Sequence, residues 1–184
     1  MSTHVSTNTP AGFVSEEEYL STSYEPGVEY VHGRLEEPVM VQSVHGLLQG
    51  WICAWFFNRR KEWKVVAGVE IHTKVESGIY RLPDVVVGPM GPWDPILKKP
   101  PLIVIEIMSP NDREQKLLEK AREYSAMGIP NIWLIDPETR MVQVWRNDAF
   151  AIVTEPKVRV AGGPVYLDLQ EMFAYLDEIQ GLQG

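Results

Sequence analysis

Cysteine is nearly missing from this chain. Cys53 is the only one among 184 residues, so no internal disulfide can form, which fits a reducing compartment. Four scattered histidines (His4, His32, His45, His72) and one cysteine exclude the usual zinc clusters. Long apolar runs are absent too: the longest in a helical context is WICAWFF, residues 51–57, far short of the roughly 20 residues that cross a bilayer. The opening MSTHVSTNTPAG has no basic segment leading into an apolar one, so it does not read as a secretory signal. Positive charge is in deficit, with 17 Lys and Arg against 25 Asp and Glu and a net charge of −8. That argues against a protein that coats nucleic acid nonspecifically, but not against an enzyme that touches it locally. There is no GxxxxGK[ST] phosphate loop, no GxGxxG after a strand and no GxSxG elbow.

What is present suits one domain. A chain of this length buries roughly 70% of the surface it exposes when unfolded and needs no staples. Residues 1–12 read as a flexible tail and 13–184 as the domain, in a cytoplasmic, membrane-free protein. Ser15 and Glu18 have capping-box spacing at the start of a short helix. Residues 28–37, VEYVHGRLEE, read as a hairpin turning at His32-Gly33. From about Ser43 to Glu62, Val44, Leu47, Leu48, Trp51, Ile52 and Trp55 follow helical periodicity, and Phe56 and Phe57 widen the stripe. Such a helix is either largely buried or a subunit contact, so a homodimer is one option. KVVAGVEIHTKV and YRLPDVVVG read as an antiparallel pair around Glu76-Ser77-Gly78. Next come an apolar strand (LIVIEIMSP, 102–110), a helix from about Asp112 to Met127 and a second apolar strand, NIWLID. Two more polar strands and an amphipathic closing helix follow. Strand–helix–strand from 102 to 135 implies a parallel crossover, hence an α/β fold with a mixed central sheet and helices on both faces.

The chemistry rests on two carboxylates. Glu106 interrupts an otherwise apolar strand, where an unpaired charge costs several kcal/mol. Asp84 follows Pro83 at the head of another apolar strand, 22 residues earlier. If the strands are neighbours, the two carboxylates converge at one end of the sheet as a hard-oxygen site suited to Mg²⁺ or Mn²⁺. The bland alternatives stand beside this. Pro-Asp is common strand punctuation, Glu106 could pair with a buried Lys or Arg, and Ser109-Pro110 reads as a helix entry. Asp136 reads as a turn residue, and the short basic runs Arg59-Arg60-Lys61 and Lys98-Lys99 as solvated surface.

Pro83-Asp84, then Glu106 in an apolar strand, then a crossover helix, resembles the PD-(D/E)XK nuclease superfamily with its restriction-endonuclease-like core. YEPGVEYVHGRLEEP, YRLPDVVV and the run from Ile105 to Pro137 resemble, more narrowly, a large bacterial family of restriction-endonuclease type, over roughly residues 15–178. The resemblance implies a metal-dependent endonuclease acting on DNA, with Asp84, Glu106 and the backbone carbonyl of Ile107 holding the ion and Glu29 completing its shell. One departure matters: where the superfamily has a lysine two places after the second carboxylate, this chain has Met108. In the narrower family a lysine on the following helix looks like the replacement. Of Lys116 and Lys120, the second shares a face with Leu117 and Tyr124, at the margin of the stripe that packs on the sheet, and is the one expected to act. His45 and Gln49 share a helix face and are accessory candidates. Two other readings stay open: a catalytically idle binding or assembly module on the same fold, and an RNA nuclease or phosphohydrolase using the same site.

Overall fold

A computed structural model describes residues 13–37, 43–110 and 112–181. The expected tail, residues 1–12, lies outside the described residues. Helix α1 (Glu16–Ser21) is capped by Ser15, whose hydroxyl accepts from Glu18 N at 3.1 Å. Strands β1 (Glu29–Val31) and β2 (Arg34–Glu36) form the expected hairpin. Its turn residues His32 and Gly33 both have left-handed φ, 46° and 87°, as a tight two-residue turn requires. Helix α2 (Ser43–Trp63) follows. Its stripe divides: Leu48, Ile52, Trp55 and Phe56 are buried, while Leu47 and Phe57 lie exposed on the outer face.

The long hairpin after α2 is more divided than its sequence suggests. Its tip, β4 (Thr73–Glu76) and β5 (Ile79–Arg81), joins the β1–β2 hairpin in a four-stranded sheet ordered β2-β1-β5-β4. Its base, β3 (Val65–Val69) and β6 (Val85–Pro89), belongs to a six-stranded sheet. Both arms break at the same level. Glu70 takes a left-handed φ of 49° and Pro83 has no N–H to continue a ladder, while Glu70 N donates to Pro83 O across the break. Asp84 therefore stands at the seam between the two sheets.

The six-stranded sheet runs β10-β9-β8-β7-β6-β3. Here β7 is Ile103–Ile107, β8 is Ile132–Asp136, β9 is Met141–Arg146 and β10, the edge strand, is Ala149–Ile152. Only β7 and β8 are parallel in this sheet, joined by the crossover helix α3 (Glu114–Met127), so the sheet is mixed as expected. Gly128, φ 93°, ends α3 in the left-handed cap that glycine takes without strain. α3 starts later than the sequence suggests. Ser109 does not cap it; instead Asp112 bends back to accept from Ser109 N at 2.7 Å. A small two-stranded sheet, β11 (Lys157–Arg159) with β12 (Tyr166–Asp168), was not apparent from the sequence. It leads into α4 (Leu169–Ile179), capped by Asp168.

The two faces of the large sheet are covered differently. Ile103, Ile105 and Ile107 of β7 pack with Leu48, Ile52 and Phe56 of α2 and Met172 of α4. Val104, on the opposite face, packs with Ala121 and Tyr124 of α3 and Val75 and Ile79 of the four-stranded sheet. Alternation along β7 puts Glu106 on this second face, between α3 and the four-stranded sheet. Helices do lie on both faces, but on one of them α3 shares the cover with a second sheet. No helix among the described residues is long and apolar enough to cross a membrane.

Candidate active site

β6 and β7 pair antiparallel with Val85 opposite Ile105, so the next pair outward is Asp84 and Glu106, on one face of neighbouring strands. The Asp84 backbone and carboxylate are both fixed. Oδ2 accepts from Ile107 N at 2.6 Å, and the Asp84 carbonyl accepts from Gln49 Nε2 at 2.7 Å. Oδ1 lies 3.0 Å from His45 Nε2, a nitrogen that is fully buried yet not aligned for a hydrogen bond with it. Burial alone would push the His45 imidazole down, but Asp84 outweighs it and holds the ring above its ordinary value. The other ring nitrogen, Nδ1, is 3.4 Å from Ser109 Oγ.

Glu106 is held by α3. Tyr124 OH donates to Oε1 at 2.6 Å, and Lys120 Nζ reaches Oε1 and Oε2 at 3.3 and 3.2 Å. Burial pushes the Glu106 carboxyl up to about 7; Lys120 and Tyr124 oppose this, and the charges of Asp84 and Glu29 add to it. Lys120 also lies 2.8 Å from Glu29 Oε1. Burial would lower its ammonium, but Glu106 and Glu29 more than reverse that, so it stays charged. Lys116, one turn earlier, lies further out and pairs with Glu36 at 3.0 Å. Behind these groups sits Arg81, 1% exposed, against Glu29, Glu36 and Glu123 at 3.1, 3.4 and 2.6 Å.

The charges of this cluster do not balance. Asp84, Glu106, Glu29, Glu36 and Glu123 face Arg81, Lys116 and Lys120, with His45 beside Asp84; with Glu106 ionised and His45 neutral, two negative charges remain. The rim residues Glu70 and Asp112 add to the negative side. The cluster opens into a cavity of about 170 Å³ lined by Asp84, Glu106, Ile107, Glu29, His45 and Lys120 among others. A larger hollow of about 560 Å³ adjoins it across His45, Ser109 and Asp112. A divalent cation fits such a place by charge and by donor type, since the donors lining the cavity include hard carboxylate oxygens. No group of three His, Cys, Asp or Glu side chains among the described residues is arranged to hold a metal. The fit is therefore that of an ion carried by two carboxylates, a main-chain carbonyl and water, the arrangement Mg²⁺ commonly takes.

Comparison with known proteins gives the family and the fold. A family model named Uma2 and described as "Putative restriction endonuclease" matches residues 16–174. The chain belongs to the Uma2 family. With that membership it falls in the restriction-endonuclease-like superfamily, as its motifs suggested. The crystal structure of a protein described as "a putative nuclease belonging to DUF820 from Anabaena variabilis" has the same fold. The TM-score is 0.75 at 23% identity, covering 89% of this Uma2 chain and 99% of the other. No curated protein matches the chain.

All seven candidate positions of this Uma2 protein meet at one place. Asp84, Glu106, Ile107, Glu29, His45 and Lys120 line the smaller cavity, and Gln49 reaches it through the Asp84 carbonyl. Both oxygens of Glu29 are already engaged, Oε1 by Lys120 and by Leu82 N at 3.2 Å, and Oε2 by Arg81. Three neighbours were not singled out in the sequence: Tyr124 as a partner of Glu106, Arg81 and Glu123. Arg81 closes a short strand whose other two residues are apolar or aromatic, IYR, the same kind of anomaly as Glu106 in IVIEI, and could have been flagged on that ground.

Proposed function

We propose that this Uma2 protein is a metal-dependent endonuclease that hydrolyses phosphodiester bonds in DNA. The observation that carries the reading is the pair Asp84 and Glu106, side by side where β6 begins and β7 ends, set among five carboxylates and three Lys or Arg side chains, with Lys120 reaching both Glu106 and Glu29. Asp84, Glu106 and the Ile107 carbonyl would hold Mg²⁺ or Mn²⁺. Bound there, the ion would supply Lewis acidity to a phosphate oxygen and make water more acidic.

The chain's own groups do the rest. Ile107 N fixes the Asp84 carboxylate, Gln49 fixes the Asp84 main chain through its carbonyl, and Tyr124 fixes Glu106, so both carboxylates are oriented before substrate arrives. Lys120 presents a charged ammonium beside Glu106, where it stabilises negative charge that develops on the phosphate oxygens and donates a hydrogen bond to the attacking water. With Met108 in the superfamily's usual lysine position, the cation comes from α3 instead of from β7.

The test is incubation of the purified protein with supercoiled plasmid, linear duplex, single-stranded DNA and RNA, in Mg²⁺, Mn²⁺ or EDTA. Nicked or linear plasmid with either cation and none in EDTA is the expected result. Cleavage of RNA alone would replace DNA as the substrate. Calorimetry that detects no cation binding, together with no cleavage, would favour an idle binding module.

A further inference from the structure

The nuclease reading accounts for Asp84, Glu106 and Lys120, but not for the buried ions behind them. Arg81 is 1% exposed and touches three carboxylates from three different elements. Its Nε and Nη2 clamp both oxygens of Glu123 on α3, at 2.6 and 2.7 Å. Its Nη1 takes Glu29 on β1 at 3.1 Å and Glu36 on β2 at 3.4 Å. Burying a guanidinium with three carboxylates is costly unless the geometry serves something. A structural tie between helix and sheet needs only the bidentate Glu123 contact. The contact to Glu29 extends the chain of ions one step further, to Lys120.

We infer that Arg81 and Glu29 form a positioning relay that aims Lys120 at Glu106, and that Glu29 acts on this lysine instead of serving as a ligand of the ion. The occupancy of Glu29 supports this. Oε1 lies 2.8 Å from Lys120 Nζ and accepts from Leu82 N at 3.2 Å, and Oε2 faces Arg81 at 3.1 Å. The oxygens of Glu106 are engaged too, but by one cation and a hydroxyl, whereas three cations already surround Glu29: Lys120 at 2.8, Arg81 at 3.1 and Lys116 at 3.7 Å. The lysine is held between Glu29 and Glu106, whereas a free lysine side chain samples many rotamers. Arg81 also lies three residues before Asp84. With Leu82 N bound to Glu29 and Pro83 stiff, the same relay fixes the seam at which Asp84 stands. Planarity matters: a lysine at 81 could not grip Glu123 with two parallel bonds and still reach Glu29.

The inference rests on the nuclease reading for its activity readout only, and two variants test it: Glu29→Gln and Arg81→Lys, each checked for a native circular-dichroism spectrum. Three quantities are compared with wild type. These are Mn²⁺ affinity by calorimetry, kcat for DNA cleavage at saturating Mn²⁺, and the side-chain order of Lys120, read from ¹³Cε relaxation in ¹³C-lysine-labelled protein and assigned with Lys120→Arg. The expected result is Mn²⁺ affinity within about threefold of wild type, kcat lowered about 10- to 100-fold, and a Lys120 side chain that becomes mobile, as for loss of an orienting partner. Weakening of Mn²⁺ binding by tenfold or more in Glu29→Gln, with kcat at saturation unchanged, would make Glu29 an ion ligand and overturn the relay. A Lys120 side chain as ordered in Glu29→Gln as in wild type would overturn it as well. If Arg81→Lys does not fold, Glu29→Gln carries the test alone. If wild type cleaves nothing, the nuclease reading fails, and the order of Lys120 still decides the relay.

Discussion

Replacing Glu106 by glutamine should make the ion-free protein more stable and inactive at the same time. The folded protein holds the Glu106 carboxyl at about 7, against an ordinary 4.5, chiefly through burial. Between these values the unfolded chain gives up its proton while the folded chain keeps it, so stability falls as pH rises through that window and levels off above about 7. The difference corresponds to about 3 kcal/mol once the group is ionised. Glutamine removes this term and can still accept from Tyr124, while Lys120 keeps Glu29. In EDTA at pH 8, urea melts should show Glu106→Gln more stable than wild type by about 1–3 kcal/mol. At pH 5, where wild type holds its proton in the fold, the gain should shrink below about 1 kcal/mol. Mg²⁺ or Mn²⁺ at about 1,000 times Kd and pH 8 should reverse the order. At that concentration an ion that binds only the folded state adds about 4.1 kcal/mol, more than the glutamine variant gains, and the variant lacks half the carboxylate pair. A glutamine variant that is less stable at pH 8, or whose advantage is the same at both pH values, would refute the reasoning.

Other expectations follow from the same geometry. Lys120→Ala should lower kcat by about 10²–10³ at saturating cation, whereas Lys116→Ala, whose side chain is 38% exposed, should change stability by no more than about 1 kcal/mol and kcat only slightly; single-turnover cleavage separates the two. Arg81→Met should cost about 3–5 kcal/mol in urea denaturation, because it leaves three carboxylates facing one another around a buried position. Gln49→Ala removes the 2.7 Å bond to the Asp84 carbonyl and should weaken Mn²⁺ binding by about tenfold, read by calorimetry, with a smaller change in kcat at saturating Mn²⁺.

The parts of the site that were legible in the sequence were chemical anomalies. Glu106 stood out because IVIEI is otherwise apolar and entirely buried, and Asp84 because a proline set it at a strand head; for Lys120 the family resemblance pointed to a lysine on the next helix, and helical spacing beside Leu117 and Tyr124 chose it over Lys116. Most helix boundaries followed from caps and periodicity, since those signals are local; the start of α3 did not, because Asp112 takes up Ser109 N and the helix begins at Glu114. The division of the long hairpin between two sheets was not legible. It depends on a left-handed φ at Glu70, a residue type that seldom takes one, and on pairing partners brought from residues 29–36 and 103–107. The β11–β12 pair escaped for a similar reason: strands of three residues carry too little alternation to recognise. Arg81 and Glu123 lie 42 residues apart in sequence, and only the folded chain brings them together.

The central claim is that Asp84 and Glu106 carry a divalent cation beside Lys120 and that this site cuts DNA. Plasmid cleavage in saturating Mg²⁺ or Mn²⁺ by wild type, Asp84→Ala, Glu106→Ala and Lys120→Ala tests it most directly. The account predicts cleavage by wild type, abolished in EDTA and lost or reduced at least about a hundredfold in each folded variant. Cleavage that survives all three substitutions at the wild-type rate would contradict it.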